Sequence, residues 1–423
     1  MKSLTFICVL FALLLSACGS IQPAPTMSAT ATSLPTNTHI PTATATPIPM
    51  IDVNGIQVPD PKVTNPDLFD LKNSESPIVQ FANAFGIKPE EVGNLTPKLL
   101  TSVDRKQFVV LISSSGYPLL ITDKESHWKS ALKDFTHTVN IIVGVYLEPG
   151  KDDYLTDQVA KNNFDDIVLP IFWHNIFANE NYANWSLPDS RVSLAESEMG
   201  QFGGTLIWQN TDFLPEWFKN SKVTEEQVRS MIKSIIQKYP DVKVWLPVNE
   251  PYPTDFFASR LGYPNYVIMA FDEARKDTNA PLVLNDFDIE KTGTQKYNQT
   301  KTLVETLKSQ NLIDGIGIQM HIDPNNPPSK EALVENFKSW GIDVYLTELD
   351  VPTDNGQLKA KIFSDVFSAA MEAGVVKQIN IWGVGNAAWK QNGNLFNASA
   401  QPTIALFEVE KAVVDYLSAL SPQ

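Results

Sequence analysis

The chain has 423 residues, of which 43% are hydrophobic, so it is long enough to bury one large core or two moderate ones. Its 48 acidic and 33 basic residues give a formal net charge of −15. Lysine and arginine form no cluster along the sequence, and this charge balance excludes a protein that binds the phosphates of nucleic acid.

The N-terminus resembles a bacterial lipoprotein signal. A charged start at Lys2 leads into the apolar segment LTFICVLFALLLSA, and LSAC then places a small residue before Cys18. The resemblance implies cleavage before Cys18 and lipidation of its thiol. The alternative is an ordinary secretory cleavage beside an incidental cysteine. Both cysteines, Cys8 and Cys18, lie in this leader, so the mature fold needs no disulfide framework.

Residues 19–50 are rich in threonine, proline and alanine and carry almost no charge. Such a segment cannot bury apolar surface, and its prolines favour the extended polyproline II conformation. We therefore predict a semi-rigid stalk. Together, the leader and the stalk predict an extracytoplasmic lipoprotein of the cell surface or outer membrane. We expect this protein to contact the membrane only through its lipid anchor.

Residues 51–135 are predicted to form a small N-terminal domain or a cover on the main domain. The segment PIVQFANAFGIKPEEV has helical spacing, and QFVVLISSSGYPLLITD is typical of two strands around a Ser-Gly turn. We predict no chemistry for this region.

Residues 136–423 alternate apolar, β-branched runs with amphipathic helical stretches. Eight such alternations, with strands that are apolar throughout, predict an α/β fold, a (β/α)₈ TIM barrel. A doubly wound open sheet is the alternative, although YLEPGKDDYL lacks the glycine-rich loop expected after its first strand. The predicted strands are residues 139–147, 166–172, 203–208, 242–248, 281–285, 313–319, 342–348 and 377–383.

Two of these strands end in a glutamate. Glu250 closes the fourth strand and Glu348 closes the seventh. Active sites of such barrels lie at the C-terminal ends of the strands. Two carboxyl groups about 5 Å apart there would suit double displacement at a sugar carbon. A single glutamate is more often a solvated surface residue, but two on strand ends weaken that interpretation.

Seven segments resemble, in order, the motifs of glycoside hydrolase family 10, the retaining endo-β-1,4-xylanases. The resemblance spans about residues 136–410 and implies a (β/α)₈ barrel that cleaves xylan or a related plant cell-wall polysaccharide without a cofactor or metal. The segments are GGTLIWQNTDFLPEWF, WLPVNEP, LNDFDIE, DGIGIQMHI, YLTELDV, IWGVGNAAW and NLFNASAQP.

The resemblance also implies roles for residues at the strand ends. Glu348 corresponds to the nucleophile and Glu250 to the acid/base. Asn249 would donate to the sugar 2-hydroxyl, a contact that strengthens in an oxocarbenium-like transition state. Gln319 and His321 are expected near the nucleophile. A lone histidine is usually a satisfied core residue, but the Gln-x-His strand end favours a site residue here.

Further site residues follow from the same motifs. Asp350 is expected to orient His321 from behind. Trp208, Trp382 and Trp389 match family tryptophans, on whose indole rings the flat apolar faces of sugars stack. Three further tryptophans are assigned to packing: Trp217, Trp245 and Trp340.

Several positions depart from the family pattern. Gly204 and Gln209 stand where the family has histidines, and Asn386 and Ala388 replace an aspartate and a serine. The strand-two motif aligns either directly with LPIFWHNI or with ENYANW, which puts Asn184 in place of a lysine. Smaller or neutral groups there predict room for a bulkier or differently substituted sugar, and weak activity on unsubstituted xylan.

Two alternatives to a xylanase stay open at this point. One is a related β-glucanase or mannanase-like glycosidase, because an Asn-Glu-Pro strand end also occurs in other retaining barrel glycosidases. The other is a surface glycan-binding protein with reduced turnover. Retention of both glutamates favours an enzyme, which we expect to be a monomer. The five histidines are scattered and form no metal-binding pair.

Overall fold

The computed structural model describes residues 48–122, 127–195, 198–252 and 256–420. The predicted lipoprotein leader with Cys18, and the stalk up to residue 47, lie outside the described residues. The chain from residue 48 onward forms one compact unit. Among the described helices, none is both long enough and apolar enough to cross a bilayer.

The region from residue 50 to residue 122 contains two small antiparallel sheets and two helices. The predicted helix is found at Pro77–Phe85 and ends at Gly86 in the left-handed conformation (φ 66°) that favours glycine. The two predicted strands are found at Gln107–Ile112 and Pro118–Thr122, and they pair antiparallel. The elements are β1 Met50–Val53, β2 Ile56–Pro59, α1 Pro61–Thr64, α2 Pro77–Phe85, β3 Thr96–Thr101, β4 Gln107–Ile112 and β5 Pro118–Thr122.

This N-terminal region shares a hydrophobic cluster with the end of the chain. Phe81 of α2 makes an edge contact with Phe407, with ring centroids 5.2 Å apart. The side chains of Val109 and Leu120 are buried in the same cluster. The region is thus attached to the barrel through apolar packing on the last helix.

Eight parallel strands close into a barrel. Each strand pairs with the next in sequence, and the last pairs with the first. The predicted (β/α)₈ fold is therefore confirmed, and the open-sheet alternative is wrong. The strands are β6 Ile142–Val145, β7 Asp166–Val168, β8 Gly200–Trp208, β9 Val244–Asn249, β10 Leu282–Asp286, β11 Gly315–Ile318, β12 Asp343–Leu349 and β13 Val376–Ile381.

Helices surround the barrel and bury their apolar stripes against it. Two of the longer helices begin at capping side chains: Thr224 accepts a hydrogen bond from the Gln227 amide at the start of Glu225–Lys238, and Asn355 caps Gly356–Ala373. The helices are α3 Leu132–Thr136, α4 Tyr154–Asn163, α5 Trp173–Ile176, α6 Ser186–Ala195, α7 Glu216–Lys219, α8 Glu225–Lys238, α9 Phe256–Leu261, α10 Asn265–Asp277, α11 Gln295–Ser309, α12 Lys330–Ser339, α13 Gly356–Ala373 and α14 Ile404–Leu420.

Strand β9 contains a proline at a central position of the barrel. Pro247 has no amide N–H, so it cannot donate to a neighbouring strand. The pairing of β9 with β10 shifts register between Leu282 and Leu284, opposite this residue. The irregularity lies two residues before Asn249, where the strand ends.

Candidate active site

A cavity of about 780 Å³ opens at the C-terminal ends of the barrel strands. This volume lies in the range of small-molecule sites, roughly 300–1,000 Å³. All eight residues predicted to bind substrate or to catalyse line it: Trp208, Asn249, Glu250, Gln319, His321, Glu348, Trp382 and Trp389. The structure thus brings the predicted side chains together, while their roles stay predictions.

A network of amide side chains connects the two glutamates. The Asn285 amide donates to Glu348 Oε1 (2.8 Å) and to Asn249 Oδ1 (2.9 Å). The Gln319 amide donates to Glu250 Oε1 (2.8 Å) and to Asn249 Oδ1 (3.2 Å). These residues come from the ends of four consecutive strands, β9 to β12, so both carboxylates face one site.

Glu250 is fixed from both its backbone and its side chain. Its φ of 52° lies in the left-handed region, which costs a non-glycine residue about 1–3 kcal/mol and often marks a functional position. Its amide N–H donates to the Asn285 carbonyl (2.9 Å). Trp208 Nε1 donates to Glu250 Oε2 (2.9 Å), while Gln319 holds the other carboxylate oxygen.

Replacing Trp208 with phenylalanine should lower kcat/KM by about 10- to 100-fold, because a hydrogen bond to a charged group contributes roughly 1.5–3 kcal/mol. The matched control is Trp217→Phe. The Trp217 indole donates to the Phe177 carbonyl (2.6 Å), outside the cavity lining. Equal activities of the two variants in steady-state kinetics would contradict a role of Trp208 in orienting Glu250.

His321 lies between two carboxylates. Its Nε2 is 3.3 Å from Glu348 Oε2, and its Nδ1 is 3.1 Å from Asp350 Oδ2. Asp350 is fully buried beside the ring, and its role in orienting His321 stays a prediction. Burial of the ring lowers the pKa of His321, but the two adjacent carboxylates, Asp350 and Glu348, outweigh it and raise the pKa to about 9. At neutral pH the imidazolium therefore places a positive charge beside Glu348.

The raised pKa of His321 predicts a pH dependence of stability. A folded-state pKa above the unfolded value means that protonated His321 stabilises the fold. This contribution is complete below about pH 6.5 and is lost as the pH rises through about 9. Over that window it should amount to roughly 1–3 kcal/mol. Urea unfolding of wild type and His321→Gln at several pH values would show it, and parallel pH profiles would contradict it.

The predicted aromatic residues occupy different parts of the cavity. Trp382 stacks on Tyr146 with ring centroids 4.0 Å apart and planes 13° apart. Trp389 is half exposed and its ring lies 4.9 Å from His321. An exposed indole above the site presents a flat apolar face to a sugar. Two tryptophans assigned to packing, Trp245 and Trp340, are fully buried.

The departures from the family pattern do not open the space that the sequence predicts. A Cβ at Gly204 would lie 2.2 Å from the Leu169 carbonyl oxygen, so the backbone of the neighbouring segment fills that position. Gln209 is buried and donates to the Pro251 carbonyl (3.0 Å) instead of facing the cavity. Asn184 is exposed and accepts from a neighbouring amide at the start of α6. The expectation of free room at these positions is wrong.

The strand-two side of the cavity is formed by residues that the sequence analysis did not select. Phe172, His174 and Asn175 follow β7 and line the cavity, together with Phe213 after β8. Direct alignment with LPIFWHNI therefore identifies the lining, whereas the ENYANW segment lies outside it. Asn285 was also not predicted as a site residue. Its position at the end of a predicted strand, in the segment LNDFDIE, could have indicated that it lies at the site.

Within the described ranges, no group of three or more His, Cys, Asp and Glu side chains is arranged to hold a metal ion.

Comparison with known proteins places this barrel in a family. The sequence model of glycosyl hydrolase family 10 matches residues 131–412. Endo-1,4-beta-xylanase B of Thermotoga neapolitana is 28% identical over 261 residues, which cover 56% of this chain and 73% of that protein. Endo-1,4-beta-xylanase B of Neocallimastix patriciarum is 32% identical over 226 residues, covering 47% of this chain and 26% of the longer relative.

A solved structure has the same fold. Xylanase 10B from Thermotoga petrophila RKU-1, in complex with xylobiose, superposes with a TM-score of 0.62 at 24% identity. The match covers 68% of this chain and 98% of that one. Because the family match alone spans well over half of the sequence, the chain belongs to glycosyl hydrolase family 10 and is a glycosidase.

Proposed function

We propose that this glycosidase cleaves xylan, or a related β-1,4-linked plant cell-wall polysaccharide, internally and with retention of configuration. One observation supports this most: Glu250 and Glu348, on strands β9 and β12, are connected through a single network of amide side chains. Such a pair suits double displacement. The relatives named above are endo-1,4-beta-xylanases, which favours xylan as the substrate.

The first proposed step forms a covalent intermediate. A Glu348 oxygen attacks the anomeric carbon while Glu250 gives its proton to the departing glycosidic oxygen. The bond from sugar carbon to leaving oxygen breaks as the bond to Glu348 forms. In the second step Glu250 takes a proton from water, whose oxygen attacks the same carbon and releases Glu348 as a carboxylate.

Two hydrogen bonds to the Asn249 side chain support the contact predicted with the 2-hydroxyl. Its Oδ1 accepts hydrogen bonds from both Asn285 and Gln319. The amide nitrogen Nδ2 is therefore the donor end of the side chain and lies 3.3 Å from Glu250 Oε1. This places a donor beside the proposed position of the sugar. A donor fixed in this way needs no reorganisation when charge develops on the sugar.

A reducing-sugar assay on purified xylan, mixed-linkage β-glucan and mannan tests the proposal, with Glu348→Ala beside the wild type. We expect release from xylan by the wild type and almost none by the variant. Release only from β-glucan or mannan would assign the chain to that related activity. Binding of xylan without release by the wild type would instead support the glycan-binding alternative.

We also propose that the catalytic domain is held at the cell surface by a lipid on Cys18. The support is the sequence alone, since LSAC follows a short apolar segment and a proline-rich stalk comes after it. Cys18→Ser should release the protein from the membrane fraction into the soluble fraction. Unchanged membrane retention of this variant would contradict the anchor.

A further inference from the structure

The cavity has an aromatic wall on its β7–β8 side, formed by Phe172, His174, Trp208 and Phe213. The Phe172 and Phe213 rings are 5.3 Å apart, and His174 lies 5.4 Å from Phe213. Phe213 stacks on Trp208 at 4.3 Å, with the ring planes 27° apart. The adjoining Leu169–Ile171 segment also lines the cavity.

The wall lies close to the proposed acid/base. Trp208 stacks on Phe213 with one face and donates its indole N–H to Glu250 Oε2 (2.9 Å). A substituent of the substrate that contacts the wall is therefore carried by a sugar next to the cleaved bond, and not by a distant sugar of the polysaccharide.

The charges around the cavity select a neutral occupant. Among the described lining residues there are five carboxylic acids and no lysine or arginine: Glu148, Glu250, Asp288, Glu290 and Glu348. Burial lowers the pKa of His174, despite a backbone contact with Phe213, so the wall carries no positive charge at neutral pH. Apart from His321, which lies between the carboxylates of Glu348 and Asp350, the lining offers a uronic acid substituent only like charges.

A bare sugar hydroxyl gains little from Phe172 and Phe213, the phenyl rings of this wall. It would lose its water contacts against phenyl rings that offer no strong hydrogen-bond partner. An ester-linked acyl group replaces that hydroxyl with apolar surface, which the rings bury favourably. Asn175, beside His174 in the cavity lining, supplies an amide donor of the kind that an ester carbonyl needs.

We propose that the aromatic wall is a binding site for an acyl group esterified to a sugar of the substrate, so that the enzyme prefers acylated xylan segments over unsubstituted or uronic acid-bearing ones. The inference deepens the proposed function and rests on it. It also differs from the sequence expectation, because the specificity comes from an apolar surface and not from space at Gly204 or Gln209.

Acetylated xylo-oligosaccharides and a portion of the same sample after mild alkaline deacetylation give a matched pair of substrates. We expect wild-type kcat/KM to be about 5- to 50-fold higher on the acetylated portion, since one hydroxyl is freed from an apolar contact and one methyl is buried. Oligosaccharides bearing glucuronic acid should be the poorest substrates. Phe172→Asn should bring the acetylated-to-deacetylated ratio close to one, mainly by lowering kcat/KM on the acetylated sample.

Phe177→Leu is the control, because Phe177 packs on Trp173 and does not line the cavity. It should keep the wild-type ratio. A wild-type ratio near one, or the same ratio in Phe172→Asn, would overturn the inference while leaving the proposed function intact. If no sample is cleaved, the proposed function fails. Calorimetric titration of the wild type with both samples then decides the inference, and equal affinities would overturn it.

Discussion

Glu348→Ala should lose about 10⁴-fold or more of kcat, because the variant has no group that can form the covalent intermediate. Glu348 lies between the Asn285 amide and the His321 imidazolium, which hold its carboxylate in one place. Added azide should restore part of the activity by attacking the sugar in the vacated space. Only one displacement then occurs, so the glycosyl azide should have the inverted, α configuration.

The matched control for this variant is Glu305→Ala, which removes an exposed carboxylate on α11, away from the cavity. Its activity should equal that of the wild type. A Glu348→Ala enzyme that keeps more than about a tenth of wild-type kcat would show that another group is the nucleophile, because losses at such positions are far larger.

Glu250→Gln should lower kcat on xylan by about 10²- to 10⁴-fold, the usual contribution of a positioned acid. Glutamine has nearly the same shape, and one side-chain oxygen can still accept from Trp208 or Gln319. The acidic phenol of an activated aryl xyloside leaves without being protonated. The first step on this substrate should therefore be nearly as fast in the variant as in the wild type. Azide should then trap the covalent intermediate as a β-glycosyl azide, after two displacements.

Equal losses on xylan and on the activated aryl xyloside would contradict the assignment of Glu250 as the acid. So would an α-glycosyl azide from this variant. The opposite azide products expected from the two glutamate variants separate the roles of nucleophile and acid/base within one pair of experiments.

The barrel and the two glutamates were predictable because their signals are local. Parallel strands buried on both faces are apolar throughout, and each run in this sequence overlaps one observed strand. Polar residues that end such strands must meet at one rim of the barrel. Glu250, Asn249, Gln319 and Glu348 follow from that rule together with the family motifs.

The details around these residues depend on contacts between distant segments. Gly204 has no free space because the Leu169 carbonyl approaches it from the segment that follows β7. Gln209 turns away from the cavity because the Pro251 carbonyl accepts its hydrogen bond. No spacing within one segment predicts these approaches. The aromatic wall was missed for the same reason, since Phe172 and Phe213 lie 41 positions apart in the sequence and meet only in the fold.

The stereochemistry of the first product tests the proposed mechanism most directly. Proton NMR of xylo-oligosaccharide hydrolysis, begun before mutarotation is appreciable, distinguishes α and β reducing ends by the anomeric signal. Double displacement through Glu348 predicts that the β anomer appears first and that the α anomer grows only as equilibrium is reached. Initial formation of the α anomer would contradict a covalent intermediate on Glu348.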